Sequence, residues 1–280
     1  MLSSLIIVFR EVIEAGLIVG IVLAATRGVL GRSYWVAGGI AAGVAGAALV
    51  AVFARELGDL FEGSGQELFN ATVLLLAVAM LTWHNVWMAS HGREIAREMR
   101  AMGAAVTAGQ RTLTALAIVV GVAVLREGSE VVLFLYGIAA QGGTTMSGLL
   151  SGGALGLVAG AIVSALMYYG LVAIPAHRLF AVTGWLITLL AAGMASQAAL
   201  FLQNGGYFQF WMSPLWDTSW FISDDSIVGR LVHTLIGYTD QPDGLQLAAY
   251  LATIAAITGL MRVIHRPRRS TPPAIVAPAE

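Results

Sequence analysis

The chain has 280 residues, of which 58% are hydrophobic and 11% charged, with 33 glycines, no cysteine and a formal net charge of −1. Soluble domains carry about 25% charged residues, so this composition, with a mean hydropathy of +0.81, excludes a water-soluble globule, a disordered chain and a nucleic-acid-binding protein. The lack of cysteine excludes disulfides, thiolate metal sites, iron–sulfur clusters and thiol nucleophiles, and every basic residue is an arginine.

A membrane-crossing helix needs about 20 apolar residues. Runs of that length fall at about 2–24, 34–54, 68–89, 113–139, 148–173, 179–202 and 245–263, which predicts an all-α, polytopic membrane protein of seven transmembrane helices. The first run is not a signal peptide, because it has no basic leader and holds Arg10, Glu11 and Glu14 where an uncharged stretch is required. The segment 203–244 reads as one sizeable external loop. Its Tyr207, Phe208, Phe210, Trp211, Trp216, Trp220 and Phe221 suit an interfacial aromatic layer. Residues 1–264 form a single transmembrane domain, and the proline- and alanine-rich stretch 265–280 reads as a disordered cytoplasmic tail.

Cytoplasmic loops are enriched in basic residues. Arg27 and Arg32 follow the first run, Arg93, Arg97, Arg100 and Arg111 the third, Arg178 the fifth, and Arg262, Arg266, Arg268 and Arg269 close the seventh. The alternate loops hold Asp59, Glu62 and Glu67, then Asp217, Asp224, Asp225, Asp240 and Asp243, against only Arg55 and Arg230. The N-terminus is therefore expected outside and the C-terminus in the cytoplasm, with the chain in the cytoplasmic (inner) membrane.

The two halves are weakly self-similar. Arg10-Glu11-x-x-Glu14 returns as Arg126-Glu127-x-x-Glu130, Gly38-Gly39 with Gly46 as Gly152-Gly153 with Gly160, and Leu68-Phe69-x-x-Thr72 as Leu179-Phe180-x-x-Thr183. The expected organisation is repeat one at about 1–90, repeat two at about 112–202, the external loop, and a last helix at 245–263. Three spans per repeat is an odd number, so the second copy lies inverted in the membrane. In many secondary transporters of this plan the site lies near the midplane where the halves meet.

Six charges at mid-membrane would cost on the order of 15–20 kcal/mol if left unpaired. On a helix, residues i, i+3 and i+4 share a face, so Glu11 and Glu14 project together with Arg10, and Glu127 and Glu130 with Arg126. Bringing the two helices side by side leaves two surplus negative charges, which a hard cation on carboxylate oxygens would neutralise. The arginines would stand behind the carboxylates and orient them. Two other readings fit the same residues: Arg–Glu pairs that lock helices together, and a proton relay through the glutamates.

Other polar positions carry weaker signals. His84 suits an interhelical hydrogen bond, and so do Gln197 and Gln203. His84 and His91 share a face of one helix, whereas a haem needs ligands from both sides of its ring. Ser129 suits a bond to its own backbone and has no histidine or lysine in its span to activate it as a nucleophile. Asp59, Glu62 and Glu67 could concentrate cations at the external end of the third span, or form a solvated loop. The ten methionines are scattered as packing residues.

With its motifs in view, the chain resembles the oxidase-linked high-affinity iron permeases of fungi and bacteria, whose hallmark is R-E-x-x-E in the first and fourth of seven helices. Gln66-Glu67-Leu68-Phe69, Leu81-Thr82-Trp83 with Trp87-Met88, Leu190-Ala191-Ala192-Gly193, and Gly237-Tyr238 with Pro242 are similar to the bacterial branch, the ferrous-iron-uptake permeases. It departs from that pattern at Val12, where glycine is frequent (the second copy keeps Gly128), and at Asn70-Ala71, where an acidic residue and glycine are common. The resemblance implies a non-enzymatic iron permease with Glu11, Glu14, Glu127 and Glu130 as metal ligands and iron as the transported substrate. It implies no tightly bound cofactor, and an external redox or iron-binding partner protein. Some relatives carry lead, so another divalent cation is the first alternative. A proton-coupled transporter using the same glutamates is the second, and a haem-binding membrane redox protein the third.

Overall fold

The computed structural model describes residues 1–59, 66–140, 145–171, 176–224 and 226–264. Among them lie eight helices: α1 (Leu2–Ala25), α2 (Arg32–Asp59), α3 (Gln66–Thr107), α4 (Leu113–Ala140), α5 (Met146–Tyr168), α6 (Ala176–Asn204), α7 (Ile227–Ile236) and α8 (Gly244–Ile264). No strand occurs among the described residues, and the one extended pairing is an isolated bridge between Pro214 and Asp243. Five helices, α2, α3, α5, α6 and α8, hold stretches long and apolar enough to cross a membrane, the build of a multi-pass membrane protein. At 24 and 28 residues α1 and α4 are as long, but each carries Arg-Glu-x-x-Glu at its middle.

Hydropathy located these helices closely; α2 runs on to Asp59 instead of 54, and two further differences have visible causes. The third continues to Thr107, well past the expected end at 89. Its extension mixes alanine, methionine, glutamate and arginine, residues with good helix propensity, and the helix ends only as the chain reaches Gly109 at φ +73°. The fifth stops at Tyr168 instead of 173, with Gly170 at φ +71° turning the chain. The loop between α6 and α8 holds the short helix α7, capped by the Ser226 hydroxyl, which accepts from the Gly229 N–H, and by Gly237 at φ +69°. The loop's aromatics are exposed. Gln203 donates to the loop carbonyl of Phe210 at 3.4 Å, so it ties the loop down in place of the expected partner helix. The tail 265–280 lies outside the described residues.

The most extensive packing joins α2 to α4 and α1 to α5. Both seams are lined by glycines that admit the neighbouring helix, as small residues do between membrane helices. Gly43 abuts Gly121 and Val124, where an added Cβ would sit 2.7 Å from the Gly121 carbonyl oxygen and from the Val124 Cβ. Gly156 fills the corresponding place against Leu5, Val8 and Phe9. Along each seam the residue numbers rise together, from Gly39 against Ala117 to Gly46 against Leu125, and from Gly152 against Ser4 to Gly160 against Val12. Each pair is therefore parallel.

Helices α1 and α4 run in opposite directions. Ile7 shares an apolar cluster with Phe134 and Ile138, while Val22 shares another with Leu116 and Val120. The first cluster is the larger and adds Leu74, Leu81, Ile187 and Met194 from α3 and α6. Between these two apolar layers lie the charged residues of α1 and α4.

Candidate metal centre

The i, i+1, i+4 spacing places Arg10, Glu11 and Glu14 on the face of α1 that meets α3 and α4. All three are buried. Arg10 Nη1 donates to Glu11 Oε1 at 2.7 Å, and Arg10 Nη2 lies 2.8 Å from Glu14 Oε1. On α4 the Arg126 Nε donates to Glu130 Oε1 at 3.1 Å and stands 3.9 Å from Glu127 Oε1. The guanidinium of Arg126 rests on the Trp87 ring of α3, 4.3 Å from its centroid, a cation–π contact. Trp87 in turn stacks on His91. Ser129 bonds the Leu125 carbonyl of its own helix at 2.7 Å, as its residue type suggests.

The residue that joins the two motifs is His84 of α3. Its Nδ1 contacts Glu130 Oε2, and its Nε2 lies 3.3 Å from Glu14 Oε2 and 3.8 Å from Glu11 Oε2. It does bridge helices, but as a partner of the carboxylates; the ordinary interhelical bonds come from its neighbour. Asn85 Nδ2 donates to the Gly184 carbonyl and the Thr188 hydroxyl of α6, both at 3.1 Å. Spacing along the chain could not reveal His84's role, because its partners sit on two other helices. The available signal was a buried imidazole within an apolar run.

One ligand atom each from Glu11, His84, Glu127 and Glu130 lies within 4.8 Å of all the others. Glu14 stands outside that group, held between Arg10 and His84. The Oε2 atoms of Glu11 and Glu127 are sealed from solvent and accept no hydrogen bond. Buried carboxylate oxygens without donors are costly, and a cation between them would supply what the protein does not. Of the residues expected at the external end of the third span, Glu62 lies outside the described residues. Asp59 ends α2, and Glu67 sits in the first turn of α3, where the helix dipole favours an acid. Glu67 does not belong to the group around His84.

The model of the iron permease FTR1 family matches residues 1–266. Among curated proteins, the chain is 30% identical over 273 residues to the ferrous iron permease EfeU of Escherichia coli O6:H1, covering 96% of this chain and 97% of that protein. It is 29% identical over 282 residues to the EfeU of Yersinia pestis, covering 99% and 98%. No solved structure matches it significantly. The chain belongs to the iron permease FTR1 family.

Proposed function

We propose that this protein is an iron permease that imports iron ions through a carboxylate site made by its two Arg-Glu-x-x-Glu motifs. The observation that carries this reading is the convergence of buried glutamates from α1 and α4, some of whose oxygens have no donor. Iron is the cargo, and the four glutamates, Glu11, Glu14, Glu127 and Glu130, are the residues that hold it. Arg10 and Arg126 limit repulsion among them and set their orientation.

On this reading α1 and α4 also cross the membrane, giving seven spans in the cytoplasmic membrane with the N-terminus outside. The halves 1–90 and 112–202 are inverted repeats. The packing supports this: exchanging the halves turns the α1–α5 pair into the α4–α2 pair and leaves α3–α6 and α1–α4 as themselves. The antiparallel course of α1 and α4 fits the same inversion. Iron enters from the acidic outer side, where Asp59, Glu62 and Glu67 concentrate cations, and leaves as the repeats change their relative packing. An external redox or iron-binding protein delivers it.

The test is iron-dependent growth and radioactive iron uptake by cells whose iron import depends on this protein. Glu14→Ala and Glu130→Ala should each abolish uptake. Near-normal uptake by both, at equal expression, overturns the carboxylate site.

A further inference from the structure

We infer that His84 is a ligand of the transported ion, and that Glu14 serves chiefly to hold the imidazole in place. This rests on the proposed carboxylate site and refines it: His84 takes the place of Glu14 among the four donors, the site is of mixed nitrogen and oxygen donors, and the nitrogen sets which metals it accepts.

Three observations support it. First, His84 is 3% exposed, and its two ring nitrogens face carboxylates on opposite sides. Second, His84 belongs to the group of ligand atoms that lie within 4.8 Å of one another, and Glu14 does not. Donors about a metal at roughly 2.1 Å stand about 3–4.2 Å apart, so a group already confined within 4.8 Å is close to the span that one ion requires. Third, a metal-bound histidine characteristically uses one ring nitrogen for the metal and gives the other N–H to a carboxylate. Here Nε2 lies 3.3 Å from Glu14 Oε2 while Nδ1 faces Glu130. Glu14, fixed from behind by Arg10 at 2.8 Å, keeps Nε2–H turned toward itself and leaves the Nδ1 lone pair for the ion beside Glu130, while Glu127 and Glu11, whose Oε2 lies 3.8 Å from Nε2, complete the group.

The chemical consequence concerns selectivity. Oxygen-only cages suit calcium and magnesium, whereas imidazole suits iron, zinc and their neighbours. His84 therefore biases an otherwise calcium-tolerant carboxylate site toward transition metals.

X-ray absorption at the iron edge, on purified protein loaded anaerobically with Fe²⁺, tests the ligand directly and needs no variant. The wild type should show the outer scattering of a coordinated imidazole; His84→Gln should lose it and Glu14→Gln should keep it. Bound iron with no imidazole signature in the wild type overturns the role of His84 and leaves the carboxylate site standing. Failure of the wild type to bind iron overturns both. In proteoliposomes, wild-type iron uptake should be unaffected by a large excess of Ca²⁺, while His84→Gln should take up iron about 10–100-fold less well and become Ca²⁺-inhibited. An equal fall in uptake with Ca²⁺ still without effect would mean that the histidine only props the helices, and would overturn the proposal.

Discussion

The two Arg-Glu-x-x-Glu motifs share their defining residues and the contact with His84, and differ in how their arginines are held. On α1 the Arg10 side chain is 3% exposed and tied to both glutamates of its own motif at 2.7 and 2.8 Å. On α4 the Arg126 side chain is 38% exposed, reaches Glu130 at 3.1 Å, stays 3.9 Å from Glu127, and lies on Trp87. The apolar cluster on the Arg10 side is also the larger of the two. A repeated sequence thus yields one tightly closed end and one looser end. On the proposed reading, alternating access requires such inequality at any one moment, with the roles exchanging as the repeats rock.

The largest effects should come from the shared centre, where the two motifs act as one. Glu11→Gln and Glu127→Gln should each lower iron uptake by about 100-fold or more, and a clear difference between them would show that the motifs do not contribute equally to one site. Next in size is the contrast between the arginines. Arg10→Met strands two buried carboxylates and should cost about 3–5 kcal/mol. Arg126→Met removes a half-exposed pair and should cost about 1 kcal/mol. Thermal unfolding in detergent measures both, and equal losses would erase the distinction between the two ends.

The seams should respond more evenly. Gly43→Val and Gly156→Val overpack corresponding contacts and should each cost about 1–3 kcal/mol. Gly38→Val, where an added Cβ meets nothing within 4 Å, should be tolerated. The smallest measurable loss is expected at Trp87→Leu, which removes the ring beneath Arg126 for about 0.5–1 kcal/mol. Hydrogen exchange should then quicken around Arg126 on α4 and stay unchanged around Arg10 on α1.

Hydropathy made the long helices legible, because apolar length is what a membrane-crossing helix requires. The extension of α3 through Arg93, Glu94, Arg97, Glu98 and Arg100 escaped that measure, since its helicity rests on propensity and not on apolar content. Helix α7 escaped it too, being ten residues within an aromatic loop. At the centre, the carboxylates were legible from their spacing on single helices. The place of His84, and the displacement of Glu14 from the inner group, depend on where α3 lies against α1 and α4, which no local spacing encodes.

The parallel seams bear on how the protein is made. Helix α1 packs along α5, and α2 along α4, so each half finds its main partner in the other half. Arg10, Glu11 and Glu14 emerge about a hundred residues ahead of α4, and at synthesis rates of about 5–20 residues per second they wait on the order of 10 s for the helix that completes their surroundings. During that interval α1 carries three charges with, at most, its own Arg–Glu pairing to offset them. On the proposed reading, in which α1 crosses the membrane, its stable insertion is completed late, when the second half arrives, and truncating the chain before α4 should leave α1 extractable from the membrane.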